Sequence, residues 1–241
     1  MIALLCSVPL EAETLLATMK QEEALVFGNK TFHRGTLAGR KVVLCAGGMG
    51  KANAAHAATL LISQFSPVAM IIFGIGGAYP SSGAQVGNIA LASEEIAGDE
   101  GVLTREGFQG TRYIGIPLVQ TNSASFHNHF PAVSTLVRQA HDALSRSTVP
   151  LTVHTGKFVT LSTCTGTREH ARELENRYNG LCENMEGAAA VQVAELHGIP
   201  WIEVRGISNI VEDRDPAKWN IPAAAKSVQQ AINQIIEGWP K

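Results

Sequence analysis

Residues 184–209 read Asn-Met-Glu-Gly-Ala-Ala-Ala-Val-Gln-Val-Ala-Glu-Leu-His-Gly-Ile-Pro-Trp-Ile-Glu-Val-Arg-Gly-Ile-Ser-Asn, and few arrangements accommodate them. No helix breaker interrupts Gly187 to His197, and Gly198 and Pro200 stop the run just past its end. Ala188, Ala189, Val191, Ala194 and Leu196 leave almost no polar face, which predicts a buried helix. Trp201 to Ile207 is rich in β-branched and apolar residues and predicts a buried strand. The unit is helix, tight turn, strand, with polar residues at both ends. Asn184 and Glu186 precede the helix, where its positive end favours a carboxylate. Ser208 and Asn209 follow the strand, where open α/β sheets bind ligands.

The rest of the chain repeats this alternation. Ile2 to Cys6 reads as a first strand, running into a helix that opens with Glu11 and Glu13. Thr31–Thr36 and Lys41–Ala46 read as a hairpin. Gly47-Gly48-Met49-Gly50 opens a helix to about Phe65, and Val68–Phe73 is a strand ending in a Gly74–Gly77 turn. Val86–Ser93 is another strand, with Glu94 and Glu95 after it. Residues 98–130 read as a long irregular, binding-type segment. Pro131–Ser145 is a helix, Leu151–Leu161 a strand, and Thr167 caps a helix to Tyr178. A last helix starts near Pro222. Strands alternating with helices predict a three-layer α/β/α fold with a central mixed, mostly parallel sheet, formed by residues 1–241 as one domain.

Bulk properties narrow the function. At 241 residues and a net charge of −2, the chain has no broad basic field for nucleic acid. No apolar run approaches the length of a membrane span, and the N-terminus lacks the cationic start of a signal peptide. Cys6, Cys45, Cys164 and Cys182 show no paired spacing, which suits reduced thiols and a cytoplasmic protein.

Several motifs read as structural. The two glycine clusters match neither a dinucleotide fingerprint nor a Walker loop. His127 and His129 lack a third ligand at a recognisable spacing, so no metal is expected. Cys164 has no placed histidine partner and reads as a small packed residue. Glu11, Glu13, Glu186 and Asn209 each have a bland reading alone. Together they fall at strand–helix junctions on one predicted rim, an arrangement suited to glycosidic hydrolysis.

Asn-Met-Glu-Gly-Ala followed by Val-Arg-Gly-Ile-Ser-Asn resembles the ribose- and base-binding signatures of the purine nucleoside phosphorylase and methylthioadenosine/S-adenosylhomocysteine nucleosidase superfamily. Glu11, Gly48-Met49-Gly50-Lys51, Gly74–Gly77 and Val86-Gly87-Asn88-Ile89 fall in the expected order. The resemblance implies a nucleoside phosphorylase-like fold and a small-molecule nucleoside substrate. It also implies a homodimer or higher homo-oligomer, with no cofactor. Glu186 would hold the ribose hydroxyls with Met185 packed on the sugar, and Glu11, or Glu13, would position the attacking water. Asn209 would face N7 and the 6-position of the purine, and Arg205 would orient that segment. Gly76, Gly77, Thr163, Thr165, Arg205 and Ser208 are expected in the substrate site.

Two positions depart from the adenine-cleaving members, which carry Asp at 209 and tend to carry Glu at 184. An ionised Asp repels a 6-oxo group, whereas Asn offers an N–H donor for O6 and an oxygen for a protonated N7. Asn209 therefore points to hypoxanthine or guanine. The run Glu203–Asn209, the acidic Val211–Asp215, Trp219 and Val8-Pro9-Leu10-Glu11 resemble the futalosine hydrolase branch of that superfamily. A carboxyphenyl tail would then need a receptor, for which Arg105, Arg112 and His127 are candidates. The alternatives are an adenine-specific nucleosidase, a phosphorylase using the Gly47–Gly50 turn and an arginine for phosphate, and a non-catalytic nucleoside sensor.

Overall fold

The apolar runs between glycine and proline stops become the strands of one ten-stranded mixed sheet. The computed structural model describes residues 1–122, 124–146 and 151–239. In order, β1 (Ile2–Cys6), a 3₁₀ turn (Pro9–Glu11), α1 (Glu13–Thr18), β2 (Lys20–Phe27), β3 (Lys30–Leu37), β4 (Arg40–Ala46), α2 (Lys51–Phe65) and β5 (Ala69–Ala78) form the first half. Then come β6 (Ile89–Ala97), β7 (Gly101–Thr104), β8 (Gly107–Gly110), α3 (Thr111–Ile114), β9 (Val119–Gln120), β10 (Ser125–Phe126) and β11 (His129–Pro131). The chain continues through α4 (Ser134–Ser145), β12 (Val153–Thr160), α5 (Arg168–Tyr178), β13 (Gly180–Asn184), α6 (Gly187–Leu196), β14 (Trp201–Ile210) and α7 (Ile221–Glu237).

Parallel pairing runs β4–β1–β5–β14 through the centre and β6–β12–β13 beside it. β14 also pairs antiparallel with β6, and β13 antiparallel with β5. Five strands (β5, β14, β6, β12 and β13) therefore close into a ring, and the β2–β3–β4 meander extends the open edge. α2 and α6 bury Ala57, Leu61, Ala190 and Val191 on one face of the sheet. On the other, α7 contributes Val228, Ile232 and Ile235, joined by Leu15 of α1 and Leu144 of α4. These are the two apolar cores of a layered α/β fold. No helix among the described residues is long and apolar enough to cross a membrane.

Several local expectations change. Gly74–Gly77 is not a turn but the end of β5. Glycine is required there by close approach: a Cβ on Gly74 would lie 2.6 Å from Glu11 Oε1, and one on Gly76 would lie 2.4 Å from Cys182 Sγ. β6 continues to Ala97, so Glu94 and Glu95 lie within the strand and Glu95 is wholly buried. β14 runs past Ile207 to Ile210, with a register shift between Ile207 and Asn209. Lys20–Phe27 is a polar edge strand, exposed over most of its length, which gives no apolar signal. Within 98–130 the chain forms two short hairpins, one helical turn and the edge strand β11. Thr167 caps α5 as expected, its Oγ1 accepting from His170 N at 3.2 Å.

Candidate active site

A cleft of about 210 Å³ opens where β1, β5 and β14 end and α6 begins. Glu11 lies at its floor. Pro9 starts the 3₁₀ turn after β1, and the turn folds Glu11 back over its own approach segment. Oε2 accepts from Ser7 N at 2.8 Å and Val8 N at 3.1 Å, and Oε1 accepts from Ile75 N at 2.8 Å. Burial pushes the Glu11 carboxyl above its ordinary value, while Arg205 and the three N–H groups pull it back. Glu13, one residue into α1, is exposed. Of the two candidates for the base, only Glu11 lines the cleft.

Glu186 is the residue before α6, and its Oε1 accepts from Gly50 N at 2.9 Å. Its backbone is fixed by Asn184, whose Oδ1 accepts from Glu186 N at 2.9 Å and Gly187 N at 2.7 Å. Asn184 thus satisfies the free N–H groups at the start of α6, a capping role that an ionised side chain is not needed for. Arg205 was expected among the substrate-binding residues, but it does not line the cleft. It is 1% exposed and lies behind Glu186, with Nη1 3.4 Å from Glu186 Oε2 and Nη2 2.8 Å from Glu203 Oε1. It holds the carboxylate in place from the protein side. Burial, with Glu203 beside it, pushes the Glu95 carboxyl in this cluster well above its usual range.

Ser208 and Asn209 line the far end of the cleft with Gly76, Gly77 and Thr165. Asn209 Nδ2 donates to Ile210 O at 3.1 Å, and Oδ1 accepts from Ser208 Oγ at 2.8 Å. The Ile210 carbonyl fixes which way the amide faces, and one N–H remains unengaged. The oxygen expected to meet a protonated N7 already has a partner in Ser208.

Glu183 is a further cleft residue, one that no motif in the sequence marks. It lies in β13, 8% exposed, and lines the same end of the cleft. Oε1 accepts from Thr165 N at 2.8 Å, and Oε2 accepts from Thr165 Oγ1 and from Tyr79 Oη at 3.2 Å. Burial raises its carboxyl while Thr165 and Tyr79 lower it. A carboxylate inside the apolar run Gly-Leu-Cys-Glu-Asn was the available signal.

The apolar part of the lining comprises Val8, Met49, Met185 and Trp219. Thr163 is exposed and lies outside the lining; Cys164 and Thr165 take its place. Cys164 Sγ is 3.3 Å from Met185 Sδ. Arg105, Arg112 and His127 lie outside this lining as well. Asn128, between the two histidines, is a buried strut, holding Thr111 N, Ala97 O and Glu100 O at 2.7–2.8 Å. His129 Nδ1 contacts Glu94 Oε1 at 2.8 Å.

The glycine turn before α2 presents no free cradle at three of its amides. Gly47 N donates to Cys6 O, Gly48 N to Ser7 O and Gly50 N to Glu186 Oε1. The arrangement thus offers one carboxylate fixed by backbone amides, a second at a helix start, and a donor–acceptor pair at the opposite end.

The model of the Phosphorylase superfamily matches residues 1–237. A futalosine hydrolase of Streptomyces coelicolor is 33% identical over 205 residues, 81% of this chain and 80% of that one. A 5'-methylthioadenosine/S-adenosylhomocysteine nucleosidase of Maridesulfovibrio salexigens is 30% identical over 235 residues, 95% and 96% of the two chains. The crystal structure of the corresponding nucleosidase of Neisseria meningitidis with methylthio-immucillin-A has a TM-score of 0.84 over 98% of each chain at 23% identity, a likeness of fold.

Proposed function

The chain belongs to the Phosphorylase superfamily, and from that membership we propose that it is a futalosine hydrolase. It would cleave the N-ribosidic bond of futalosine with water, giving hypoxanthine and dehypoxanthine futalosine in menaquinone biosynthesis. The observation that carries the base assignment is Asn209, a cleft-lining residue whose amide keeps one N–H unengaged, a donor suited to O6 of a 6-oxopurine.

In this reading the ribose hydroxyls bind Glu186, whose position is set by Gly50 N, Arg205 and the Asn184 cap. Met185 packs on the sugar. Glu11 takes a proton from a water whose oxygen bonds to the oxocarbenium-like C1′, while the pair of the breaking C1′–N bond leaves with the base, which is protonated on release. Three N–H groups fix the Glu11 carboxylate, so little reorganisation is needed as the water attacks. The Asn209 N–H stabilises charge developing on the departing base. The apolar mouth at Val8, Met49 and Trp219 suits an aromatic tail.

The same geometry supports water rather than phosphate as the attacking group. The amides of Ser7, Val8 and Ile75 are a natural anion nest, and the protein's own carboxylate fills it. A phosphate dianion beside Glu11 would meet like charge, and Arg205 is committed to Glu203 and Glu186.

The methylthioadenosine/S-adenosylhomocysteine nucleosidase reading is supported by the second relative, which matches over more of the chain, and by the same apolar mouth. Base release from futalosine, inosine and methylthioadenosine, each with and without phosphate, separates the readings. Phosphate-independent hypoxanthine release from futalosine supports the proposal. Adenine release from methylthioadenosine with futalosine untouched sinks it, and phosphate-dependent cleavage of inosine points to phosphorolysis.

A further inference from the structure

Resting on the reading of this cleft as a 6-oxopurine nucleoside site, we propose that Glu183 is a second specificity-determining residue, accepting a hydrogen bond from the N1–H of the base while Asn209 donates to O6. Gly77 pairs with Glu183 on one side and with Asn209 on the other. Directly paired residues of a sheet project to the same face, so both side chains flank Gly77, their backbones two strand spacings, roughly 10 Å, apart. A Cβ on Gly77 would lie 3.1 Å from Asn209 Nδ2, so glycine keeps the space between them open.

Counting acceptor positions gives the direction of the hydrogen bond. A carboxylate has about four lone-pair sites. Thr165 N occupies one on Oε1, and Thr165 Oγ1 and Tyr79 Oη occupy two on Oε2. One site on Oε1 remains, and Asn209 retains one N–H. The far end of the cleft therefore presents one acceptor and one donor side by side. Hypoxanthine and guanine offer the complement, N1–H and a carbonyl O6. Adenine offers the reverse, a bare N1 and a 6-amino group, so both contacts would fail together.

The test compares kcat/KM for futalosine and for its 6-amino counterpart in wild type and E183M. A glutamine would turn its oxygen to the Thr165 amide and keep an acceptor toward N1, whereas a methionine keeps the length and removes the acceptor. The preference for the 6-oxo substrate is expected to fall by about 10- to 100-fold, the size of one charge-assisted hydrogen bond. Most of the change should appear in KM, because N1 is remote from the breaking bond. If Glu183 only props Thr165, both substrates slow alike and the ratio stays constant, which overturns the assignment while leaving the 6-oxopurine reading intact. If wild type itself prefers the 6-amino substrate, the underlying reading fails. A second measurement needs no variant: 1-methylhypoxanthine should inhibit wild type at least about tenfold more weakly than hypoxanthine. Equal inhibition overturns the proposal.

Discussion

Glu11→Gln tests the amide nest and the role of its carboxylate in one substitution. In wild type the two oxygens receive three backbone N–H groups, Ser7 and Val8 on Oε2 and Ile75 on Oε1. A carboxamide has a single oxygen. Its best placement keeps Ser7 and Val8 satisfied and turns the NH₂ toward Ile75 N–H, donor against donor. One buried N–H left without a partner costs about 1–3 kcal/mol. At this chain length that corresponds to a fall in Tm of roughly 2–12 °C. The loss of a general base lowers turnover by about 10²–10⁴. Urea or thermal unfolding reads the first effect, and single-turnover hypoxanthine release from futalosine reads the second. Burial raises the Glu11 carboxyl, and the base acts only when ionised, so wild-type activity should fall on acidification at a pH above the ordinary Glu range. That acid limb should vanish in the variant. A folded E11Q protein that turns over within about threefold of wild type would refute the base assignment, given the losses typical of removing one. An unchanged Tm would refute the hydrogen-bond reasoning.

Asn209→Asp removes the free N–H and sets a carboxylate against O6, so kcat/KM for hypoxanthine release should drop about 10- to 100-fold while adenine release rises; an unaltered base preference would contradict the role given to this amide. Glu95 has a folded-state pKa above its unfolded value, so it stabilises the fold when protonated, and that stability is lost as pH rises through the folded pKa. Glu95→Gln escapes this loss, and its Tm relative to wild type should climb as pH rises above the ordinary Glu range; a flat difference would mean that Glu95 is not the group responsible. Gly74→Ala puts a methyl 2.6 Å from Glu11 Oε1 and 2.9 Å from Arg205 Nη1, so activity measured by base release should fall at least about tenfold, and wild-type activity would mean that the carboxylate shifts freely.

The contrast between Glu11 and Glu13 shows where the sequence stops being sufficient. Both fall where the chain turns from the first strand into the first helix, and pattern alone cannot separate them. The 3₁₀ turn at Pro9 directs the first into the cleft and leaves the second in solvent. Glu183 and the strand that carries it escaped notice for a related reason. Five residues, all buried on both faces, have no periodicity to read. Arg205 looked like a substrate contact because it sits in the signature run, yet its guanidinium is neutralised inside the protein by Glu203 and Glu186.

The sequence by itself determined the alternation of strands and helices, the buried helix at Gly187 with a carboxylate at its positive end, and the amide near the end of the following strand. These are properties of consecutive residues: periodicity, breakers, and the charge that a helix start favours. Tertiary structure alone decided that Gly74 makes room for Glu11, that Ser7, Val8 and Ile75 share one carboxylate, and that Gly77 lies between Glu183 and Asn209. Each of those facts joins segments dozens of residues apart, and only the register of the strands across the sheet brings their donors and acceptors within hydrogen-bonding distance.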